Sequence, residues 1–269
     1  MPHVEQCPIV MHQEVAPGHF RMAVRSPAIA GEARAGQFAM LQVAEGIYPF
    51  LRRPMSFERI FSDGVAFLFK VEGEGTRLLA RRMVGQTVGV QGPLGKPFPI
   101  ETRFARHILV AGGIGVAPFP ALAEALVRGC GKAPEAILAA RTRDMLLCEA
   151  DLRQIGCTVH VATDDGSAGV RALAHELLDR LAPDVNTRVY ACGPMPMMKA
   201  VSQVAMQAGA DCQVSLEAQM ACGDGACLGC VVESRQESEG EKMLRVCADG
   251  PVFDTTVIDW DAHDLAYDR

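Results

Sequence analysis

Four cysteines carry the most specific chemistry in this chain. Cys222, Cys227 and Cys230 stand in Met220-Ala-Cys-Gly-Asp-Gly-Ala-Cys-Leu-Gly-Cys230, and Cys247 follows in Arg245-Val-Cys-Ala-Asp-Gly-Pro-Val-Phe253. The pattern is C-x4-C-x2-C, with a fourth thiol after a gap long enough to fold back. That is the plant-type spacing of a 2Fe-2S site. Such a cluster carries excess negative charge, so the chain must wrap it closely and aim amide N–H groups at its sulfurs. Gly223, Gly225 and Gly229 permit this, because no Cβ keeps the backbone away. A structural zinc site more often pairs two C-x2-C knuckles, and disulfides need an oxidising compartment for which the chain carries no signal.

Four further stretches stand out. Leu51-Arg-Arg-Pro-Met-Ser-Phe57 sets a fixed cation, a rigid turn and a hydroxyl close together, at Arg53, Pro54, Met55 and Ser56. Phe69-Lys-Val-Glu-Gly-Glu-Gly-Thr-Arg77 leads from Lys70 and Val71 into Gly-x-Gly-Thr. Its Gly75 and Thr76 precede a helix-like segment, Arg77 to Met83, so backbone amides there could receive phosphate oxygens. His107-Ile-Leu-Val-Ala-Gly-Gly-Ile-Gly-Val-Ala-Pro118 runs an apolar strand into a turn with Gly112, Gly113, Gly115 and Pro118, and then into a helix from Phe119 to Arg128. Tyr190-Ala-Cys-Gly-Pro-Met-Pro-Met-Met198 places Cys192, Gly193 and Pro194 at another strand's carboxyl end. Taken singly, an Arg-Pro dipeptide is an ordinary surface turn. A glycine turn that departs from Gly-x-Gly-x-x-Gly is, by default, close helix-strand packing. Met197 and Met198 read as core-facing helix residues.

The elements that position these stretches follow from hydrophobic pattern. Between Gln6 and Val90, short apolar or alternating runs such as Phe20 to Val24, Gln37 to Val43 and Ala66 to Val71 are broken by Gly and Pro, as in a small antiparallel barrel. Beyond it, apolar strands recur at Ala136 to Ala140, Thr158 to Thr163, Arg188 to Cys192 and Gln213 to Leu216. They alternate with amphipathic helices near Met145 to Ile155, Val170 to Leu181 and Pro196 to Ala208. Strand and helix alternate this way in doubly wound parallel sheets, which bind ligands at the carboxyl ends of their strands. The expected fold is multidomain: an antiparallel β-barrel over residues 1–103, an α/β doubly wound parallel sheet over 104–213 and a small C-terminal cluster segment over 214–269.

At 269 residues the chain holds ample core for such an arrangement. A net charge of −6 with no Lys/Arg run argues against nucleic acid. No apolar run approaches a membrane span, and Met1-Pro-His-Val-Glu-Gln lacks the regions of a signal peptide, so a cytoplasmic protein is expected. Six of the ten cysteines, Cys7, Cys130, Cys148, Cys157, Cys192 and Cys212, are scattered and read as reduced, buried apolar residues. The polar run from Glu233 to Glu241 predicts an exposed hairpin loop between the third and fourth cluster cysteines. No acid-base pair or nucleophile constellation suggests a separate catalytic chemistry. His107, His160 and His175 lie on a strand or helix and read as structural.

Arg53 to Ser56 and the Gly-x-Gly-Thr loop together resemble the flavin domain of the ferredoxin-NADP reductase superfamily. Gly-Gly-x-Gly-x-x-Pro with Cys-Gly-Pro-x-Pro-Met resembles its NAD(P) domain. The resemblance implies FAD on the barrel. Arg53 would then pair with the pyrophosphate, Ser56 would hydrogen-bond the isoalloxazine edge near N5, Lys70 and Val71 would line the cofactor, and Gly75 and Thr76 would hold its phosphates. It likewise implies a nicotinamide dinucleotide on the sheet. Gly112, Gly113, Gly115 and Pro118 would shape its pyrophosphate pocket, with Cys192, Gly193 and Pro194 near the nicotinamide. A 2'-phosphate would look for a basic cluster such as Arg141-Thr-Arg143, but the acids of Thr163-Asp-Asp-Gly-Ser167 near the same edge would repel it, so NAD is expected.

The cluster stretch narrows the family. Ser215 to Cys230 and Val246 to Phe253, with Arg53-Pro-Met-Ser56, Thr163-Asp-Asp-Gly-Ser167 and Cys192-Gly-Pro-Met-Pro-Met197, closely resemble the electron-transfer subunits of NAD-linked bacterial dihydroorotate dehydrogenases. That resemblance spans nearly the whole chain. It implies an FMN-containing catalytic subunit as partner, two copies of each subunit in a heterotetramer, and the cluster segment at the interface. Electrons would run from dihydroorotate and FMN through the 2Fe-2S cluster and FAD to NAD+, in pyrimidine biosynthesis. The alternative is a reductase subunit of another oxidoreductase, such as a ferredoxin-NADP or sulfide-linked complex. In the small subunit of the bifurcating NADH-dependent ferredoxin-NADP oxidoreductase the first cluster ligand is typically Asp, where this chain has Cys222.

Overall fold

The computed structural model describes residues 2–46, 48–235 and 243–262. Six antiparallel strands close a barrel: β1 (His3–Ala16), β2 (His19–Arg25), β3 (Phe38–Leu41), β4 (Arg53–Ile60), β5 (Gly64–Lys70) and β6 (Thr87–Leu94), in the spatial order β1-β2-β5-β4-β3-β6. Alternation along β1 turns Cys7 and Ile9 inward and their neighbours out. Strand β5 is buried on both faces. Val65, Phe67 and Phe69 fill the barrel, while Leu68 joins the core of the second sheet. Helix α1 (Pro27–Glu32) starts on Ser26, whose hydroxyl accepts the Ile29 N–H at 3.3 Å. Helix α2 (Glu74–Ala80) begins three residues before the expected Arg77. The reason is Thr76, whose Oγ1 accepts the N–H groups of Glu72 and Gly73 at 3.0 and 3.2 Å and so closes the first turn.

Five parallel strands follow: β7 (Arg106–Gly112), β8 (Glu135–Ala140), β9 (Thr158–Thr163), β10 (Thr187–Cys192) and β11 (Asp211–Ser215). Strand β10 is buried end to end, as a strand covered by helices on both faces must be. The covering helices are α3 (Phe119–Cys130), α4 (Glu149–Ile155), α5 (Ala174–Arg180) and α6 (Met195–Gln207). Helix α5 is shorter than its pattern suggests. Gly169 turns in the left-handed region, Val170 donates to Val161 O and accepts from Thr163 N–H, and those residues extend the β9 edge instead of a helix.

The C-terminal residues form a short hairpin, β12 (Val231–Glu233) and β13 (Met243–Arg245), and then β14 (Val252–Asp254). Most of the run expected as an exposed hairpin loop, its residues 236–241, lies outside the described residues, but the strands on either side of it do pair antiparallel. Strand β14 returns to the large sheet and adds to β11 as an antiparallel edge, giving the order β14-β11-β10-β7-β8-β9. One apolar core therefore runs from Phe38, Met40 and Leu94 of the barrel, past Cys230 and Cys247, to Val110, Val189 and Val214 of the sheet.

Candidate functional site

The two cysteine loops meet at the barrel wall. Gly223 seats directly on Met40, where a Cβ would come within 2.6 Å of Cγ, so the first loop lies flush against β3. Amide N–H groups point at sulfur along the loop. Cys227 N–H donates to Cys222 Sγ, Gly229 N–H to Cys227 Sγ and Cys247 N–H to Cys230 Sγ, each at 3.4 Å. Cys230 and Cys247 are buried, Cys222 is half-buried and Cys227 is exposed. The set of four thus has a dry side toward the barrel and sheet and one open corner. The Gly229 N–H and the groups around Cys222 bring the Cys227 thiol down to about 7, whereas burial and the adjacent Cys230 push Cys247 up to about 12. Four convergent thiols with backbone donors already aimed at them suit a cluster bound through thiolates, whose binding displaces these protons.

On the barrel, the loop before β4 and the start of α2 come together. The Arg53 guanidinium lies over Gly75, and a Cβ at Gly75 would fall 2.8 Å from Arg53 Nε. Arg53 Nη1 is fixed by the Leu51 carbonyl at 2.5 Å, and Arg52 Nη1 is buried with no partner among the described residues. A guanidinium beside the opening turn of α2 suits a pyrophosphate. Pro54, Met55 and Ser56 follow on β4 against Met40, Ala39 and Phe38 of β3. Thr76 keeps its hydroxyl within its own turn and Val71 N–H donates to Gly18 O at 2.8 Å, so both shape the wall through the backbone.

At the carboxyl ends of the large sheet opens a cleft of about 700 Å³. It gathers Lys70 of the barrel, Gly112, Gly113 and Gly115 of the turn after β7, and Gly193 and Pro194 after β10. Gly115 has no alternative at its position. A Cβ there would sit 2.4 Å from Cys192 O, and this contact brings the two turns together. Cys192 is buried behind them, its thiol pushed up by burial and by nearby Glu217, and Pro118 sets the first turn of α3 instead of facing the cleft. Met198 is in the core and Met197 packs against the same core, as expected, while the Met197 Sδ also lies over Gly112 and both residues border the cleft. Arg141 and Asp164 both reach the cleft wall, while the Asp165 carboxylate accepts from Ser167 Oγ at 2.6 Å in its own loop.

Residues 217–259 match the iron-sulfur cluster binding domain of dihydroorotate dehydrogenase B, and residues 109–203 match the oxidoreductase NAD-binding domain. Over 249 residues the chain is 36% identical to the dihydroorotate dehydrogenase B (NAD(+)) electron transfer subunit of Bacillus cereus strain Q1, covering 91% of this chain and 94% of that protein. The chain belongs to the dihydroorotate dehydrogenase B electron transfer subunits. The subunit of Bacillus anthracis strain CDC 684 / NRRL 3495 matches to the same extent, at 36% identity over 91% of this chain and 94% of its own length. A solved NADH-dependent reduced ferredoxin-NADP oxidoreductase aligns with a TM-score of 0.83 at 31% identity, over 96% of this chain and 91% of that one. The ferredoxin reductase of a carbazole 1,9a-dioxygenase, at 20% identity and a TM-score of 0.66 over 78% of this chain and 67% of its own, shares the fold.

Within this electron transfer subunit the cleft also holds residues that sequence reasoning passed over. Glu217 stands two residues beyond β11, exposed to the cleft, and the surrounding walls together with Glu72 raise its carboxyl. An acid just past the carboxyl end of a parallel strand was the available signal. Lys199 on α6 borders the same space, as does His175 on α5, which was expected to be structural, and Trp260 closes one side with its indole N–H on Thr255 O at 3.1 Å. Among the other histidines, His160 contacts Glu135 at 3.0 Å and His107 is buried beside Tyr190, so both hold the sheet.

Proposed function

We propose that this chain carries electrons between the FMN-containing catalytic subunit of a dihydroorotate dehydrogenase and NAD+. FAD, a 2Fe-2S cluster and NAD are its cofactors; when bound, the flavin exchanges a hydride with the nicotinamide and single electrons with the cluster. The observation that supports this reading most is placement around one barrel. The cysteine loop rests on Met40 of β3, Arg53 to Ser56 lie on the neighbouring β4, and Lys70 at the end of β5 faces the glycine turns of the sheet. A carrier held on that barrel has the thiols on one side and the nicotinamide cleft on the other.

Each residue contributes a defined part. Cys222, Cys227, Cys230 and Cys247 hold the cluster, with the Cys227 corner turned toward the partner. Arg53 and the amides from Gly75 and Thr76 hold the flavin pyrophosphate, while Pro54, Met55 and Ser56 present the strand edge to the flavin ring, and Lys70 and Val71 flank it. Gly112, Gly113, Gly115 and Pro118 shape the dinucleotide turn, and Gly193 and Pro194 form the floor beneath the nicotinamide, with Cys192 buried behind them. Asp164 on the cleft wall favours ribose hydroxyls over a 2'-phosphate and so NAD over NADP. Among the described residues no helix is long and apolar enough to cross a membrane. A cytoplasmic location goes with the reading, because it requires reduced thiols.

The test is affinity purification of the tagged chain from its native host, with identification of what accompanies it and an assay of dihydroorotate-dependent NAD+ reduction. An FMN-bearing dihydroorotate dehydrogenase subunit with that activity is the expected result. The likeness to the ferredoxin-NADP oxidoreductase structure supports a second reading, in which a different large oxidoreductase is recovered and the pyrimidine role is withdrawn.

A further inference from the structure

Arg245 ends β13, two residues before the fourth cysteine. Among the described residues its carboxylate partner is Asp249: Nε and Nη2 donate to Oδ2 and Oδ1 at 2.9 and 3.0 Å, and the Arg245 backbone N–H donates to Oδ2 at 2.8 Å. The same turn closes on the Arg245 carbonyl, which accepts the Ala248 and Asp249 N–H groups at 3.1 and 2.8 Å. Arg245 is thus locked into the loop that carries Cys247. The remaining terminal nitrogen, Nη1, reaches across to the other loop and meets the Gly225 carbonyl at 3.5 Å. Gly225 lies midway between Cys222 and Cys227, has φ +88°, and packs so closely that an added Cβ would be 3.1 Å from Nη1. In the turn from Arg245 to Asp249 the Cys247 N–H donates to Cys230 Sγ at 3.4 Å. One side chain therefore ties together two loops that carry different cysteines.

We infer that Arg245, clamped by Asp249, is a positioning residue for the cluster: it ties the Cys222–Cys227 loop, at Gly225, to the turn whose Cys247 N–H points at the Cys230 sulfur, and by holding that amide in place it raises the cluster's reduction potential. An amide directed at a ligand sulfur stabilises the reduced cluster, which carries one more negative charge. A fork-shaped guanidinium can grip a carboxylate on one edge and a carbonyl on another, which a lysine cannot. The inference rests on the reading of the four cysteines as 2Fe-2S ligands.

The experiment is an EPR-monitored redox titration of the full-length chain, purified anaerobically, as wild type, Arg245→Gln, Arg245→Lys and Asp249→Asn. Arg245→Gln is expected to lower the potential by about a tenfold change in the oxidised-to-reduced ratio, or ~59 mV for one electron. Arg245→Lys should fall between that variant and wild type. Asp249→Asn separates positioning from simple charge. Removing the acid leaves the site more positive, so charge alone would raise the potential, whereas loss of the clamp lowers it. A wild-type potential in Arg245→Gln, full recovery in Arg245→Lys or a rise in Asp249→Asn would overturn the inference, as would failure of all three variants to hold a cluster that the wild type carries. A wild-type chain without iron or a 2Fe-2S spectrum would remove the underlying reading itself.

Discussion

Gly115 shows how a single position can serve both packing and binding. Its backbone lies against the Cys192 carbonyl, and that contact sets the distance between the turn after β7 and the turn after β10. Gly115→Ala places a methyl group 2.4 Å from Cys192 O, so one turn must retreat. The expected cost is about 2 kcal/mol in unfolding free energy, as for an overpacked core, read from urea unfolding. NADH affinity should fall with it, read by flavin quenching on titration. The four cysteines and the glycine turns were legible in the sequence because their chemistry depends on type and spacing. Glu217 was not. A lone acid after a strand carries no spacing of its own, and only the converging turns show which way it points.

Helices α3 and α4 are held to the barrel by charges gathered at their join. Arg21 of β2 pairs with the fully buried Glu58 at 2.6 Å and with Asp151 of α4 at 2.8 Å. Arg59 of β4 pairs with Asp151 at 3.0 Å and with Glu124 of α3. Burial alone would push the Asp151 carboxyl up, but the hydrogen bonds and charges of Arg21 and Arg59 outweigh it and hold the group below its ordinary value. Asp151→Asn removes the charge both arginines share, and roughly 2–3 kcal/mol of stability is expected to go with it, somewhat less than for a fully buried pair. Because the folded value is depressed, this contribution is complete above the unfolded value of ~3.9 and is lost as pH falls through the folded one. The stability gap between wild type and Asp151→Asn should therefore close below about pH 4, and urea midpoints across pH measure it. Alternating strands and helices revealed these elements, but α5 came out short and α2 came early, because the turn at Gly169 and the hydrogen bonds of Val170 and Thr76 are local features that hydrophobic period does not register.

At the scale of the molecule, the cluster segment and the sheet share a strand and a core. Cys247 and β14 are five residues apart, β14 pairs with β11 across Gln213 to Ser215, and Trp260 and Phe253 sit in the same apolar cluster as Met40 and Val214. Cys247→Ser, which removes one of the proposed cluster ligands, is therefore expected to lower the midpoint of a single thermal transition involving the whole chain. Calorimetry showing a separate early transition for the C-terminal segment, with the rest unchanged, would contradict this coupling.

What the sequence determined by itself was chemistry that is written in local order: a thiol set at ligand spacing, a strand-turn-helix with glycines at its bend, an Arg-Pro-Met-Ser edge ahead of a second glycine loop, and the alternation that separates a barrel from a parallel sheet. These signals survive because each needs only neighbours along the chain. Tertiary structure alone decided how they face one another. It placed the cysteines on Met40, put Arg53 over Gly75, sent β14 back to the edge of the sheet and drew Lys70, Gly115, Gly193 and Glu217 around one cleft. Such contacts join residues far apart in sequence. They are set by which apolar faces can be buried together, a property of the packed whole and not of any stretch of it.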